Sequence, residues 1–245
     1  MNELLIKNAA DLIKNSQHAI VFTGAGISVE SGIPPFRGEN GLWTVYDPKF
    51  LDIFYFDTQP VKTWDILKEL FYKHFENSKP NRAHKAIAEL EKRSFVKAVI
   101  TQNIDNFHQE AGSRNVIEFH GTYRRLICLR CKRRFSYREK ILNTLPPRCK
   151  TCDGLLKPDF VFFSEPIPED ASKRSFQEAE IADLFLVIGT TGEIQPASSI
   201  PVLAKQNGAK IIEINVKESN FTNEIVDVFL QGKATEMMDK LLAYF

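Results

Sequence analysis

The chain lacks a surplus of charge. Its 32 basic residues face 31 acidic ones, so nothing draws it as a whole to nucleic acid or to an anionic membrane. It lacks a long apolar run of the ~20 residues that a membrane span needs. The opening stretch, MNELLIKNAADLIKN, has the pattern of a short amphipathic helix. It is without the basic-then-apolar layout of a signal peptide. There is no internal repeat and no low-complexity tract. Cysteine is scarce, at four in 245 residues. These absences lead us to expect a soluble cytoplasmic protein with no membrane partner. What is present is 43% hydrophobic residues, enough for a normal core, in a length of 245 residues that suits one large domain or a domain plus a small module.

The four cysteines fall as two pairs, Cys128 and Cys131 in CLRC, then Cys149 and Cys152 in CKTC. C-x2-C, a gap of 17 residues, then C-x2-C matches the spacing of a zinc ribbon. Disulfides or four free thiols are the alternatives, and a cytoplasmic setting disfavours the first. Four thiolates leave zinc no open position for water, so a metal here is expected to be structural. The surrounding RRLICLRCKRRFSYREK is basic. It reads as a solvated face or, more sharply, as a docking surface for an acidic partner; nothing stronger points to nucleic acid.

Four apolar runs, AIVFTG, VKAVITQN, LFLVIG and KIIEIN, have the character of buried parallel strands. Helical patterns alternate with them. One is NRAHKAIAELEKR, with Asn81 as N-cap and Ala83, Ile87 and Leu90 on one face. Another is PASSIPVLAKQNG, ending at Gly208, and KATEMMDKLLAYF follows at the end. The alternation predicts a doubly wound α/β sheet. Two stretches break it. The first is a loop and then a helix, PVKTWDILKELFYKHF, with Trp64, Leu67 and Phe71 on one face; the second is the cysteine module. Together they are expected to form a smaller lobe.

In FTGAGISVESGIPPFRG, residues 22–38, a strand runs into two glycines, as in loops that bring backbone N–H groups against a phosphate. The third glycine of the dinucleotide fingerprint is missing, and two prolines forbid a long helix. Polar residues also follow the other strands: Thr101, Gln102, Asn103 and Asp105; Gly189, Thr190 and Thr191; Asn215. In a parallel sheet these share the carboxyl edge, where doubly wound folds bind ligands. The expected ligand is a nucleotide or dinucleotide.

GAGISVESGIPPFRG, TQNID, His120–Gly121, the two CxxC pairs, GTT and EIN occur in the order seen in sirtuins, and GLW, KPNRAH and GKATE add to it. The chain resembles that family over almost its whole length, in the form of the prokaryotic-type catalytic core. The resemblance implies a Rossmann-type parallel α/β domain with a smaller lobe made of a helical insertion and a zinc ribbon held by four cysteines. The expected boundaries are 1–38, 80–121 and 158–245 for the large domain, 39–79 for the helical insertion and 122–157 for the ribbon.

It also implies an NAD-dependent protein lysine deacylase that moves an acyl group to ADP-ribose and releases nicotinamide. The expected cofactors are NAD and one structural Zn2+ per chain; the expected partner is an acyl-lysine protein or peptide. By resemblance His120 is the base and Asn103 acts beside it. The loop at Gly24, Ala25 and Gly26 takes the pyrophosphate. Phe36 and Arg37 belong to a loop that closes over the nicotinamide ribose and excludes water. Asn103 and Asp105 organise the nicotinamide pocket, which Ala25 and Ile33 line, and Gln102 touches ribose. Gly189, Thr190, Thr191, Asn215, Lys233 and Ala234 serve the adenosine half or its phosphates. Val161 and Phe163 line the acyl-lysine tunnel, with Ser164 and Glu193 on the substrate-binding edges. Of the other histidines, His18, His74, His84 and His108 read as packing or capping residues.

The chain departs from the family at Pro35, where many sirtuins carry Asp, and at Ser164, a glycine in the pattern. A serine there is strained if φ is positive. Glu193 stands where the family pattern has an apolar residue. The Tyr-x-x-Arg pair of succinyl-removing members is absent, leaving Lys68 or Lys73 as conceivable substitutes. The alternatives to deacylation are mono-ADP-ribosyl transfer and a catalytically weak NAD- or partner-binding module.

Overall fold

The computed structural model describes residues 3–36 and 41–245, apart from the side chain at position 74. Arg37 and the His74 side chain, singled out above, lie outside the described residues.

The four expected strands are β1 (Ala19–Thr23), β2 (Val96–Thr101), β7 (Leu184–Ile188) and β8 (Lys210–Asn215). Two more join them, β3 (Val116–Glu118) and β9 (Val228–Gln231). All pair in parallel, in the order β3-β2-β1-β7-β8-β9. The order runs outward both ways from β1 and β7, so the switch point of the doubly wound sheet lies between them.

Both faces of this sheet are covered, which is why its central strands read as unbroken apolar runs. Val21 of β1 faces one core, with the helices Glu3–Asn15, Arg82–Lys92 and Ala234–Leu242; Ile20 and Phe22 face the other, with Glu169–Ile181 and Ser199–Gln206. Asn81 does cap Arg82–Lys92. Its Oδ1 accepts from the N–H of Ala83 at 3.0 Å, while the side chain of His84 reaches back to the Asn81 N–H.

The smaller lobe has its own hydrophobic cluster. An antiparallel sheet, β5-β4-β6, is formed by β4 (Gly121–Cys128), β5 (Arg134–Ser136) and β6 (Leu156–Phe160). The helical insertion packs on it through Trp64, Leu67, Phe71 and Phe75, all buried. Trp64 is wholly enclosed, and its indole N–H donates to Leu156 O at 3.0 Å. One side chain therefore joins the two insertions, and truncating it to alanine would cost about 3–5 kcal/mol. The insertion is less regular than its sequence suggests. The helix Pro60–Leu67 passes through a π turn, Lys68–Tyr72, before Lys73–Asn77, and the short helices Leu42–Val45 and Ile53–Thr58 precede it. A π turn widens the ring by one residue, which lets Leu70, Phe71 and Tyr72 all bury.

Candidate active site

At the switch point the chain comes extremely close to itself. The Gly24 N–H bonds Ile188 O at 3.0 Å and the Gly26 N–H bonds Gly189 O at 2.8 Å. A Cβ on Gly26 would lie 2.6 Å from Gly189 Cα. The glycines are thus needed for the loop after β1 to lie on the end of β7. That contact opens a cleft of about 1240 Å³ along the carboxyl edge.

Its walls carry most of the residues expected from sequence. Gly24, Ala25, Gly26 and Phe36 come from the first loop, and Gln102, Asn103 and His120 from the ends of β2 and β3. Gly189, Thr190, Thr191, Asn215, Lys233 and Ala234 form the far end. Val161, Phe163 and Ser164 lie on the smaller-lobe side. A side pocket of about 20 Å³ is lined by Ala25, Ile33, Phe36, Asn103 and Asp105, among others. A long cleft lined by polar residues of the strand ends beside an apolar side pocket suits a dinucleotide with one aromatic amide head, and this lining fits NAD.

Hydrogen bonds fix the polar groups. The Asn103 amide donates to Gly24 O at 3.1 Å and to Ser28 Oγ at 3.2 Å, and Ser28 Oγ donates to Asp105 Oδ2 at 2.7 Å. Asp105 is 4% exposed; burial raises its pKa, opposed by the Phe107 N–H and the Ser28 hydroxyl. Gln102 Nε2 reaches Thr190 Oγ1 at 3.1 Å, and Asn215 Nδ2 reaches Thr190 O at 2.9 Å. The carboxyl ends of β2, β7 and β8 are therefore tied together.

His120 Nδ1 lies 3.0 Å from Gln102 O. A carbonyl oxygen only accepts, so Nδ1 carries the proton and Nε2 keeps its lone pair. Burial lowers the His120 pKa, and the Gln102 carbonyl offsets part of this. The imidazole is neutral at pH 7, as a base must be. Gly121 has φ of 81°, and a Cβ there would collide with Asp159 O and come within 2.8 Å of Phe160 Cα. Only glycine allows β4 to leave His120 so close to β6, where the Val161 N–H bonds His120 O at 2.8 Å.

The other histidines with described side chains are structural. His18 Nε2 meets Glu178 at 2.6 Å. His84 and His108 are buried, with ring centroids 4.9 Å apart.

Ser164 does take φ of 69°. Its hydroxyl donates to Asp52 Oδ2 at 2.8 Å, in partial compensation for the left-handed backbone. Phe163, 43% exposed, packs on Trp43 at 6.2 Å between ring centroids.

Glu193 is exposed and lies outside the cleft lining, whereas Ile194 lines it. Gly192, at φ of 73°, precedes both residues. Lys68 and Lys73 do not line the cleft either, and Lys73 pairs with Glu69 at 2.6 Å. Sequence reasoning missed Trp43, Ile194, Glu30 and Ser28. Trp43, Ser28 and Glu30 stand inside motifs already noted. Glu30 caps the helix Ala234–Leu242 by accepting from the Thr235 N–H at 3.1 Å and hydroxyl at 2.8 Å.

In the ribbon the four Sγ atoms lie within 4.8 Å of one another, with Cys128–Cys152 at 3.5 Å and Cys131–Cys149 at 3.8 Å. A tetrahedral zinc with Zn–S of about 2.3 Å sets sulfurs about 3.8 Å apart. The backbone N–H groups of Cys131 and Thr151 point to Cys128 and Cys149 sulfur at 3.5 and 3.4 Å, as for thiolates. The residues fit zinc. The His120 side chain belongs to the cleft, and the cysteines do not line it.

The Sir2 family model matches residues 24–196. NAD-dependent protein deacylase 2 of Pyrobaculum aerophilum is 45% identical over 239 residues, 96% of this chain and 94% of the relative. An NAD-dependent protein deacylase of Thermococcus kodakarensis is 45% identical over 245 residues, 97% and 95%. A solved Sir2 homologue–ADP ribose complex superposes with a TM-score of 0.92 at 43% identity, covering 100% of this chain and 96% of the other. A Sir2–p53 peptide–NAD+ structure gives 0.89 at 33% identity, with 98% of each chain covered.

Proposed function

The chain belongs to the Sir2 family, and from that premise we propose that it is an NAD-dependent protein lysine deacylase acting on acyl-lysine peptides or proteins. The observation that carries the reading is a neutral, proton-accepting His120 Nε2 held at the cleft between the glycine loop and the apolar strand of Val161 and Phe163.

When bound, NAD would supply a ribose carbon at which a bond to the acyl oxygen of the substrate lysine forms as the bond to nicotinamide breaks and nicotinamide leaves. The protein's own groups do the rest. The loop of Gly24, Ala25 and Gly26 takes the pyrophosphate, with the N–H groups of its two glycines engaged by Ile188 O and Gly189 O, and Gln102 lies beside the ribose. Asn103 and Asp105, with Ala25 and Ile33, receive the nicotinamide. Phe36 covers this pocket and keeps water from the ribose carbon. His120 Nε2 then takes a proton from a ribose hydroxyl, and Nδ1 stays bonded to Gln102 O throughout. Thr190, Thr191, Asn215, Lys233 and Ala234 hold the adenosine half. Val161, Phe163 and Ser164 form one substrate edge, with Ile194 in place of Glu193 on the other. The four cysteines hold a structural zinc outside the cleft.

We keep the segment boundaries 1–38, 80–121 and 158–245 against 39–79 and 122–157; the cluster of the smaller lobe draws mostly on the last two segments, with Ile33, Ile104, Phe107, Phe160 and Phe162 joining it from the large domain. Among the described residues no helix is long and apolar enough to cross a membrane, and we place the protein in the cytoplasm. The test is mass spectrometry of products after incubation with NAD and a panel of acyl-lysine peptides. Free lysine peptide with O-acyl-ADP-ribose supports deacylation. ADP-ribose left on the peptide would mean ADP-ribosyl transfer, and no nicotinamide release with any peptide would mean a binding module.

A further inference from the structure

Lys157 plays no part in the mechanism above, yet its side chain is only 4% exposed. Burying an ammonium is costly unless every proton finds an acceptor. Here all three do. Lys157 Nζ donates to Phe160 O at 2.6 Å and Pro158 O at 3.0 Å, and pairs with Glu165 Oε2 at 2.9 Å. It also stands 4.2 Å from the centroid of the Phe162 ring, close enough for a cation–π contact.

These partners all lie within residues 158–165. The same Glu165 oxygen accepts from the Phe162 N–H at 2.8 Å, and the Glu165 N–H returns to Phe162 O at 3.1 Å. The two bonds close the turn in which Ser164 is left-handed. The stretch clasped this way contains Val161, Phe163 and Ser164, and it is joined to His120 through the Val161 N–H. An apolar side chain would fill the same space without the desolvation cost. What it could not do is hold three oxygens of one loop at one point.

We infer that Lys157 is a positioning residue for peptide substrate: buried itself, it forms with the partly exposed Glu165 an ionic clip that fixes the shape of the edge receiving the acyl-lysine peptide. The inference rests on the reading of that edge as the substrate side of the cleft.

Three variants test it: Lys157→Arg, Lys157→Met, and Lys157→Met combined with Glu165→Met. The double variant removes both charges and so leaves no unpaired Glu165 carboxylate, and circular dichroism establishes that it is folded before binding is read. Affinity for a fluorescent acetyl-lysine peptide is measured directly, beside KM for peptide and for NAD, kcat, and amide exchange. The double variant should weaken peptide binding and raise peptide KM about tenfold, with NAD KM within about twofold. Lys157→Arg should recover part of the loss. Wild-type peptide affinity in the folded double variant overturns the inference, as does an equal fall in NAD and peptide affinity, which would mean general loosening. If the wild-type protein binds no acyl-lysine peptide, the substrate-edge reading fails on its own. Amide exchange then decides the clip: faster exchange at 161–165 with β7 unchanged supports it, and equal rates refute it.

Discussion

His84 and His108 offer a test of the fold through acid alone. Both are buried, at 0% and 1% exposure. Burial drives the His84 pKa down to about 2, with His108 adding to the effect, and burial drives the His108 pKa down to about 3. His108 Nε2 has Thr23 Oγ1 at 3.0 Å, but its Nδ1 is enclosed without a hydrogen-bond partner. Protonation would thus place a charge where nothing can receive it. In the unfolded chain both rings return to the ordinary value near 6.5. Between the folded and unfolded values the unfolded state binds more protons. The contribution to stability is therefore full above about pH 6.5 and is lost progressively as pH falls. Between pH 7 and pH 5 each ring removes about 2 kcal/mol, or about 4 kcal/mol together, out of a typical total of about 5–15 kcal/mol. Denaturant midpoints at pH 5, 6 and 7, read by circular dichroism, give the slope. His108→Gln cannot titrate, and its pH 7-to-5 loss should be smaller than that of the wild type by about 2 kcal/mol. Acid loss of zinc affects both proteins alike and cancels in the comparison. An unchanged slope in His108→Gln would refute the argument.

Three further outcomes are expected. His120→Ala should lower deacylation about 10²–10⁴-fold with NAD affinity and zinc content kept; because burial holds the imidazole below its ordinary pKa, kcat/KM in the wild type should be flat from pH 7 to 8 and fall only on acidification past the usual histidine range. A cleanly purified variant at wild-type turnover would remove the assignment. Elemental analysis should give one zinc per chain, and Cys149→Ser should lose it with a drop in melting temperature, since metal binding and ribbon folding are coupled; zinc-free but fully stable wild-type protein would contradict this. With Phe36, Trp43 and Phe163 along the cleft and neither Lys68 nor Lys73 among its walls, acetyl or longer neutral acyl groups should be removed in preference to succinyl; a higher kcat/KM for succinyl on the same peptide would reverse that view.

The sequence alone determined whatever rests on chemistry within a few residues. The CxxC turns, the Asn81 cap and the apolar runs of β1, β2, β7 and β8 are such features, and each is where the sequence placed it. Motif order carried the family and the cleft residues from Gly24 to Ala234 for the same reason: a glycine loop after a strand is local information. Strands β3 and β9 were not legible, being three and four residues long and formed only because a longer neighbour offers its edge. The π turn answers to packing against the ribbon, and that Ile194 lines the cleft while Glu193 does not is likewise set by the tertiary path of the chain. Nothing local in LKPDF reveals that Lys157 is buried among oxygens of its own loop. Tertiary structure decided that, because a charge is tolerated inside a protein only where folding has brought its acceptors together.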